Sequence, residues 1–311
     1  MPSVPSPHSF YLRTPDGHRL HVQQHGPAGG EPWLVLHGGP GSGCQPGMAA
    51  WFDPVRHRAI MPDQRGAGRS TPAGTLRRNT VGALLADLEQ LRRTLGIERW
   101  GVVGGSWGAT LALAYAARYP QAVAALVLRG TFLTARADVD RLFLPRGGGR
   151  DMLRRVTPQG ERLPDARAHL LTVSRVLHRG TTVQKRDTAA AWRRTERGLL
   201  GLGATAPAAR QPWREQAAIA GKYRIQAHYL RRRAGLGKPV MLAAGLSIAQ
   251  QGIPVTIVHG RADAVCSPVN AVRLHAAMPE ARLVWVDGGH LVTGATQDAL
   301  AAAIRAARWR G

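Results

Sequence analysis

Ser106 stands between glycines in Gly104-Gly105-Ser106-Trp107-Gly108, where the apolar run "RWGVVGG" gives way to "ATLALAYAARYP". A serine hydroxyl is a weak nucleophile at neutral pH and needs an adjacent base to attack a carbonyl. Glycine two positions to either side permits a sharp strand-to-helix turn, a nucleophile elbow, where larger side chains would collide with neighbouring backbone. Taken alone, Gly-x-Ser-x-Gly also describes an ordinary glycine-rich turn. The strand before it and the helix after it favour the elbow. Such a helix would also aim its unpaired N-terminal N–H groups at developing negative charge.

A base and an orienting acid are expected later in the chain, in the order serine, acid, histidine. His290 lies in "VDGGH", directly after the last apparent strand, and Asp263 lies in "IVHGRAD", after the strand before it. Both fall at strand carboxyl ends, where open α/β sheets build their sites. His290 reads as the base and Asp263 as the carboxylate that stabilises its imidazolium. Asp287, three residues before His290, is the rival acid. His37 and His259 each end a strand and read as structural hydrogen-bonders, and the other histidines show no metal-ligand spacing. "HGGPGSG", His37 to Gly43, resembles the glycine-rich oxyanion loop of lipases and esterases. Its Gly39 N–H would pair with the N–H of Trp107 to receive an oxyanion. A phosphate cradle would need Gly-x-Gly-x-x-Gly or a Lys-Ser/Thr ending, and neither is present. These residues together describe acyl transfer by a serine hydrolase, with no cofactor and no metal.

Positioning them requires a parallel sheet. "WLVLHG", "HRAIMPDQRG", "RWGVVGG" and "VAALVLRG" read as buried strands that alternate with helices. One of these helices places Val81, Leu84, Leu85, Leu88, Leu91 and Leu95 on a common face. The alternation predicts a mostly parallel, doubly wound α/β sheet. Residues 134–245 break the rhythm. They are helical in pattern and carry 23 basic against 8 acidic residues. Strands return with "IPVTIVHG" and "ARLVWVDGGH", and a helix closes the chain from about Gln297. The expected organisation is a core made of residues 1–133 and 246–311, with a helical cap, 134–245, inserted between two strands.

The formal charge of +23 over 311 residues is carried by 42 basic residues, of which only three are lysine. Charge of that size raises a nucleic-acid partner. No arginine block, zinc-finger spacing or aromatic RNA-binding pattern accompanies it, so the charge reads as solvated arginine and nucleic acid is set aside. A binding protein for an acidic partner remains as a different class, which the complete set of three catalytic residue types argues against. Prolines interrupt the first residues where a secretion signal would be apolar, and no run is long enough to span a membrane. With only two cysteines, Cys44 and Cys266, the reading is a cytoplasmic enzyme without disulfides. Its partner would be a small-molecule or peptide substrate; oligomeric state is not assigned.

With "HGGPGSG", "FDPVRHRAIMPDQRGAGRS", "NT" at Asn79-Thr80, "GGSWGATLALAYAARYP", "LVLRGTF", "VHGRADAVCSP" and "GGH" in view, the chain resembles the proline iminopeptidase (prolyl aminopeptidase) family of α/β-hydrolases. The resemblance implies the α/β-hydrolase fold and removal of an N-terminal proline without a metal. It places the triad on Ser106, Asp263 and His290, and the oxyanion donors on Gly39 and Trp107. It also implies a substrate-binding Arg129 and a cap glutamate that holds the substrate's amino group. That glutamate falls on Glu196 in "AWRRTERG", where Thr195 and Arg197 replace the family's Trp and Gly. A second cap glutamate becomes Gln226 in "RIQAHYL". A buried ammonium needs compensating negative charge, and one carboxylate beside Arg197 supplies less of it than two. An esterase or amidase acting on a neutral or acidic small molecule is therefore the alternative. Cys266 is expected close to the site as a small buried filler.

Overall fold

The structure, a computed structural model, describes residues 8–143, 157, 163, 165–203 and 212–307. It opens on a hairpin that the sequence reading leaves unassigned. His8–Arg13 (β1) and Arg19–His25 (β2) pair antiparallel across the turn at Pro15-Asp16-Gly17, with Leu12 opposite Leu20. Six strands follow: Glu31–Leu36 (β3), His57–Pro62 (β4), Trp100–Gly105 (β5), Val123–Arg129 (β6), Val255–Gly260 (β7) and Arg282–Val286 (β8). The sheet order is β1-β2-β4-β3-β5-β6-β7-β8, and every neighbouring pair from β4 to β8 is parallel.

The chain leaves β3 for β4 on one side and returns to β5 on the other. Loops from the carboxyl ends of β3 and β5 therefore diverge and open a crevice between them, the place where such sheets take ligands.

Alternate residues of the central strands point to opposite faces, and both faces are covered. Leu34, Leu36, Val102, Leu126 and Ile257 join one apolar layer with the helices Val81–Thr94 (α1) and Trp107–Arg118 (α2). Trp33, Val35, Val103, Val127 and Val258 face the other layer, which the C-terminal helix closes with Leu300 and Ile304. Trp33 fits because its neighbour in β5 is Gly101, where a Cβ would come 2.5 Å from the indole ring.

Between β6 and β7 lie Arg136–Phe143 (α3), Ala166–Arg179 (α4), Thr182–Leu199 (α5), Trp213–Arg231 (α6) and Lys238–Gln250 (α7). Their starts carry the expected chemistry. Asp165 caps α4 by accepting from Ala168 N–H, and Thr181 with Gln184 forms a capping box on α5. Trp192 of α5 is fully buried against the rings of Phe143 and Tyr223, each at 5.1 Å, which ties α3, α5 and α6 together. Helix α6 docks on the core loops. Tyr229 donates to Asn79 Oδ1 at 2.6 Å, and its ring lies 4.7 Å from that of Trp107. Helix α7 packs on α2 and on the helix Pro268–Ala277 (α8). Gly294–Ala306 (α9) is the closing helix and begins three residues before the expected Gln297. Among the described residues no helix is long and apolar enough to cross a membrane.

Candidate active site

Strand β5 ends at Gly105 and α2 begins at Trp107, so the chain turns at Ser106 alone. Its backbone sits at φ 57° and ψ −120°, a conformation costing of order 1–3 kcal/mol that persists only when neighbours enforce it. They do. Ser106 N–H donates to the Arg129 carbonyl at 2.8 Å, and the Ser106 carbonyl accepts from Ala109 N–H at 2.9 Å. The flanking glycines are required by contact rather than by flexibility. A Cβ at Gly104 would lie 2.2 Å from the Gly108 carbonyl oxygen, and one at Gly108 would lie 2.0 Å from that of Leu36. At Gly105 a Cβ would meet the Arg129 guanidinium at 2.5 Å.

Asp263 and His290 come together from the loops after β7 and β8. His290 Nδ1 lies 2.8 Å from Asp263 Oδ2, while Asp263 Oδ1 accepts from the amides of Val265 at 2.9 Å and Cys266 at 2.8 Å. Burial opposes the carboxylate's charge, yet the hydrogen bonds from His290 and Cys266 hold its pKa below the ordinary value. Burial pulls the His290 pKa below its usual 6.5. Asp263 works against that shift, and the Arg129 cation adds to it. Arg129 also fixes the loop, donating from Nη1 to the His290 carbonyl at 2.6 Å. Asp287 stands apart: its side chain is 98% exposed and faces Arg261 at 3.5 Å.

Ser106 and His290 line one cavity of about 400 Å³. Among the described residues the serine hydroxyl has no hydrogen bond to His290; its polar neighbour is Cys266 Sγ, at 3.7 Å. Nucleophile–base contacts are often loose until substrate binds. Cys266 is buried, and burial followed by the Asp263 charge pushes its thiol pKa far up, so it is a neutral neighbour of the serine.

The loop after β3 is held from below. His37 Nε2 accepts from Gln64 N–H at 3.1 Å, and its Nδ1 meets the Gly38 carbonyl at 3.0 Å and the Gly43 N–H at 3.3 Å. The Gln64 side chain then bridges the His37 carbonyl (3.1 Å) and the Trp107 indole N–H (2.9 Å). Gly39, at φ 47°, has no room for a Cβ, which would fall 2.6 Å from Ser42 Oγ. Trp107 is the first residue of α2, so its amide has no intrahelical acceptor. His259 accepts from Thr131 N–H and meets the Cys266 carbonyl through its other nitrogen. Arg65 is spent on a bidentate pair with Asp87 and on Asp16.

Glu196, which lines the same cavity, is heavily used. Its Oε1 accepts from Gln226 Nε2 at 2.5 Å; its Oε2 accepts from the Tyr223 hydroxyl at 2.8 Å and from Lys222 Nζ at 3.3 Å. The expectation that Arg197 stands beside Glu196 is corrected here. Arg197 donates to the Gly203 carbonyl at 2.9 Å, and the cation at Glu196 is Lys222. Neighbours on a helix point about 100° apart, so Glu196 and Arg197 do not share a face. Lys222 and Tyr223 were not found from the sequence. The one available signal was that Lys222 is among just three lysines in an arginine-dominated chain. Gln226 is buried, and its Oε1 has no hydrogen-bond partner among the described residues. Phe132, Val139, Leu199, Leu230 and Leu291 give the cavity an apolar wall.

A family model described as alpha/beta hydrolase fold matches residues 32–293. The chain is 40% identical to a proline iminopeptidase of Xylella fastidiosa, covering 88% of each chain. It is 36% identical to a proline iminopeptidase of Neisseria gonorrhoeae, covering 91% of this chain and 90% of that one. The Arabidopsis thaliana protein of the same name is also 36% identical, over 90% of this chain and 74% of its own. Among solved structures, a bacterial membrane phospholipase A superposes with a TM-score of 0.67 at 17% identity, over 97% of this chain and 87% of that one. A 2-hydroxy-6-oxo-6-phenylhexa-2,4-dienoate hydrolase from Rhodococcus does so with a TM-score of 0.60 at 19% identity, over 97% of this chain and all of that one. At those identities the structures share the fold alone.

Proposed function

Because the chain belongs to the proline iminopeptidase family of α/β-hydrolases, we propose that it releases an N-terminal proline from small peptides or amides through an acyl-enzyme on Ser106. One observation carries this reading. The serine and a carboxylate able to receive an ammonium, Glu196, line a single cavity whose wall is otherwise largely apolar, as a pyrrolidine ring requires.

In this mechanism the Ser106 hydroxyl attacks the prolyl carbonyl while His290 takes its proton. Asp263 keeps the Nδ1 proton in place and stabilises the imidazolium. The amides of Gly39 and Trp107 receive the oxyanion. His290 returns the proton to the leaving amine and then activates the water that frees proline. Glu196 and Gln226 meet the substrate's amino group, and Arg129 holds the His290 loop. Helices α3 to α6 act as the cap within the proposed 134–245 insertion, whereas α7, packed on α2, belongs with the core. Both cysteines are free, which supports a cytoplasmic placement.

The paired Lys222 favours a second reading of the same chemistry, an esterase or amidase for which a free amine is irrelevant. Comparing kcat/KM on prolyl, alanyl and N-acetylprolyl anilides with that on a p-nitrophenyl ester separates the two. The proposal expects the free prolyl anilide to exceed the N-acetyl form. Indifference to the amine with rapid ester turnover would replace it with the second reading.

The acid limb of the profile follows from the base. His290 works only when neutral, and burial keeps its pKa under the usual 6.5, so the base is already unprotonated at neutral pH. We expect kcat/KM to hold level on lowering the pH toward 6.5 and to fall with a midpoint below it. A midpoint at or above 6.5 would mean that Asp263 outweighs burial.

A further inference from the structure

We propose that Lys222 is a built-in counterion, seated on Glu196 where a substrate's ammonium would bind, and that it sets how strongly this enzyme discriminates against charged amines. The inference rests on the reading of the cavity as the substrate site and concerns a residue that this reading does not use.

Among the described residues Glu196 receives three donors, of which Tyr223 and Gln226 are neutral and Lys222 alone brings charge. With the Lys222 ammonium at 3.3 Å, the charge of Glu196 is already countered. The other carboxylates, Asp138 in the cavity lining and Asp263 behind His290, already have hydrogen-bond partners. Asp138 accepts from Ala135 N–H and Asn270 Nδ2, and Asp263 is engaged by His290. An incoming ammonium that takes Glu196 as its countercharge must therefore compete with Lys222, while a neutral head group need not.

The lysine stem is held in place for this role. The Lys222 backbone carbonyl lies 2.8 Å from where a Cβ at Gly41 would be, and its Cε lies 3.9 Å from where one at Gly39 would be, so the stem runs along the loop after β3. Its Nζ sits 4.8 Å above the Tyr223 ring, a cation–π contact that adds to the pull of Glu196. Yet the side chain keeps 29% of its surface exposed, which gives the ammonium a route outward when displaced. The buried Gln226 Oε1, without a partner among the described residues, is a further acceptor that a bound amine N–H would satisfy.

The test compares wild type with Lys222→Met, Lys222→Arg and the double variant Lys222→Met/Glu196→Gln. Affinities for L-prolinol, a protonated amine, and for N-acetyl-L-prolinol are read from how far each slows fluorophosphonate labelling, and KM is read from the matching prolyl anilides. For a partly exposed pair, removing the lysine charge should tighten the free amine relative to the N-acetyl form by about five- to tenfold. Lys222→Arg should keep the wild-type ratio, and the double variant should lose the gain. A Lys222→Met ratio equal to wild type, or shifted toward the N-acetyl form, overturns the inference and makes the lysine a packing residue. If wild type turns over prolyl anilides well but the prolinol ratio does not move, the inference falls and the functional reading stands. If prolyl anilides are inert but the ratio moves as expected, the inference stands and prolyl release falls.

Discussion

Ser106→Ala will abolish fluorophosphonate labelling and lower kcat on the best substrate by at least about ten-thousand-fold, leaving only what binding and the oxyanion donors provide. The fold should survive. The substitution removes one hydroxyl whose hydrogen-bond contact among the described residues is Cys266 Sγ at 3.7 Å, and the strained turn is imposed by the backbone around it rather than by the side chain. Stability should change within about 0.5 kcal/mol, as for a site away from any packing or network loss. Cys266 will not take over as nucleophile. Burial first, and the Asp263 charge second, keep it a thiol, and a thiol without its proton removed is a poor attacker. Labelling that persists in the alanine variant would place the nucleophile elsewhere and remove the basis of the acyl-enzyme.

The sheet was readable because buried parallel strands are short apolar runs and amphipathic helices keep their own period. β3, β5, β6 and β7 are such runs, and α1 carries its stripe from Val81 to Leu91. The elbow was readable because the backbone contacts of Gly104 and Gly108 admit no side chain, so geometry is written directly as residue type. The hairpin β1–β2 was not assigned. In β1 only Leu12 is buried, and the polar run Gln23-Gln24-His25 in β2 blurs the alternation that Leu20 and Val22 begin. The end of the proposed helical insertion is equally hard to read, since α7 packs on α2 although nothing in its composition announces it. Lys222 and Glu196 are 26 residues apart on different helices. No spacing rule joins them; they meet only once α5 and α6 pack around Trp192 and Tyr223. Adjacency in sequence suggested Arg197 instead, and the turn of the helix sends that residue away.

Asp263→Asn should cost about ten-thousand-fold in kcat with a much smaller loss of stability, about 1–2 kcal/mol from weaker hydrogen bonds to two amides. The reason is the fixed direction of those amides. Val265 and Cys266 both donate to Oδ1, so the asparagine carbonyl must occupy that position. Its NH2 group then faces His290 Nδ1, at the 2.8 Å where the carboxylate oxygen now sits. That nitrogen becomes an acceptor, its proton moves to Nε2, and the nitrogen that should receive the serine proton is already protonated. Raising the pH cannot repair this, because the fault lies in the tautomer and not in the charge, so the loss should persist across the whole profile. The downfield imidazole proton resonance of His290 should vanish at the same time. Asp287→Asn is the matched control and should turn over like wild type, since that side chain points to solvent and Arg261. If instead the Asp287 variant is crippled and the Asp263 variant stays within tenfold of wild type, the acid has been assigned to the wrong loop, and the 2.8 Å contact between Asp263 and His290 is structural.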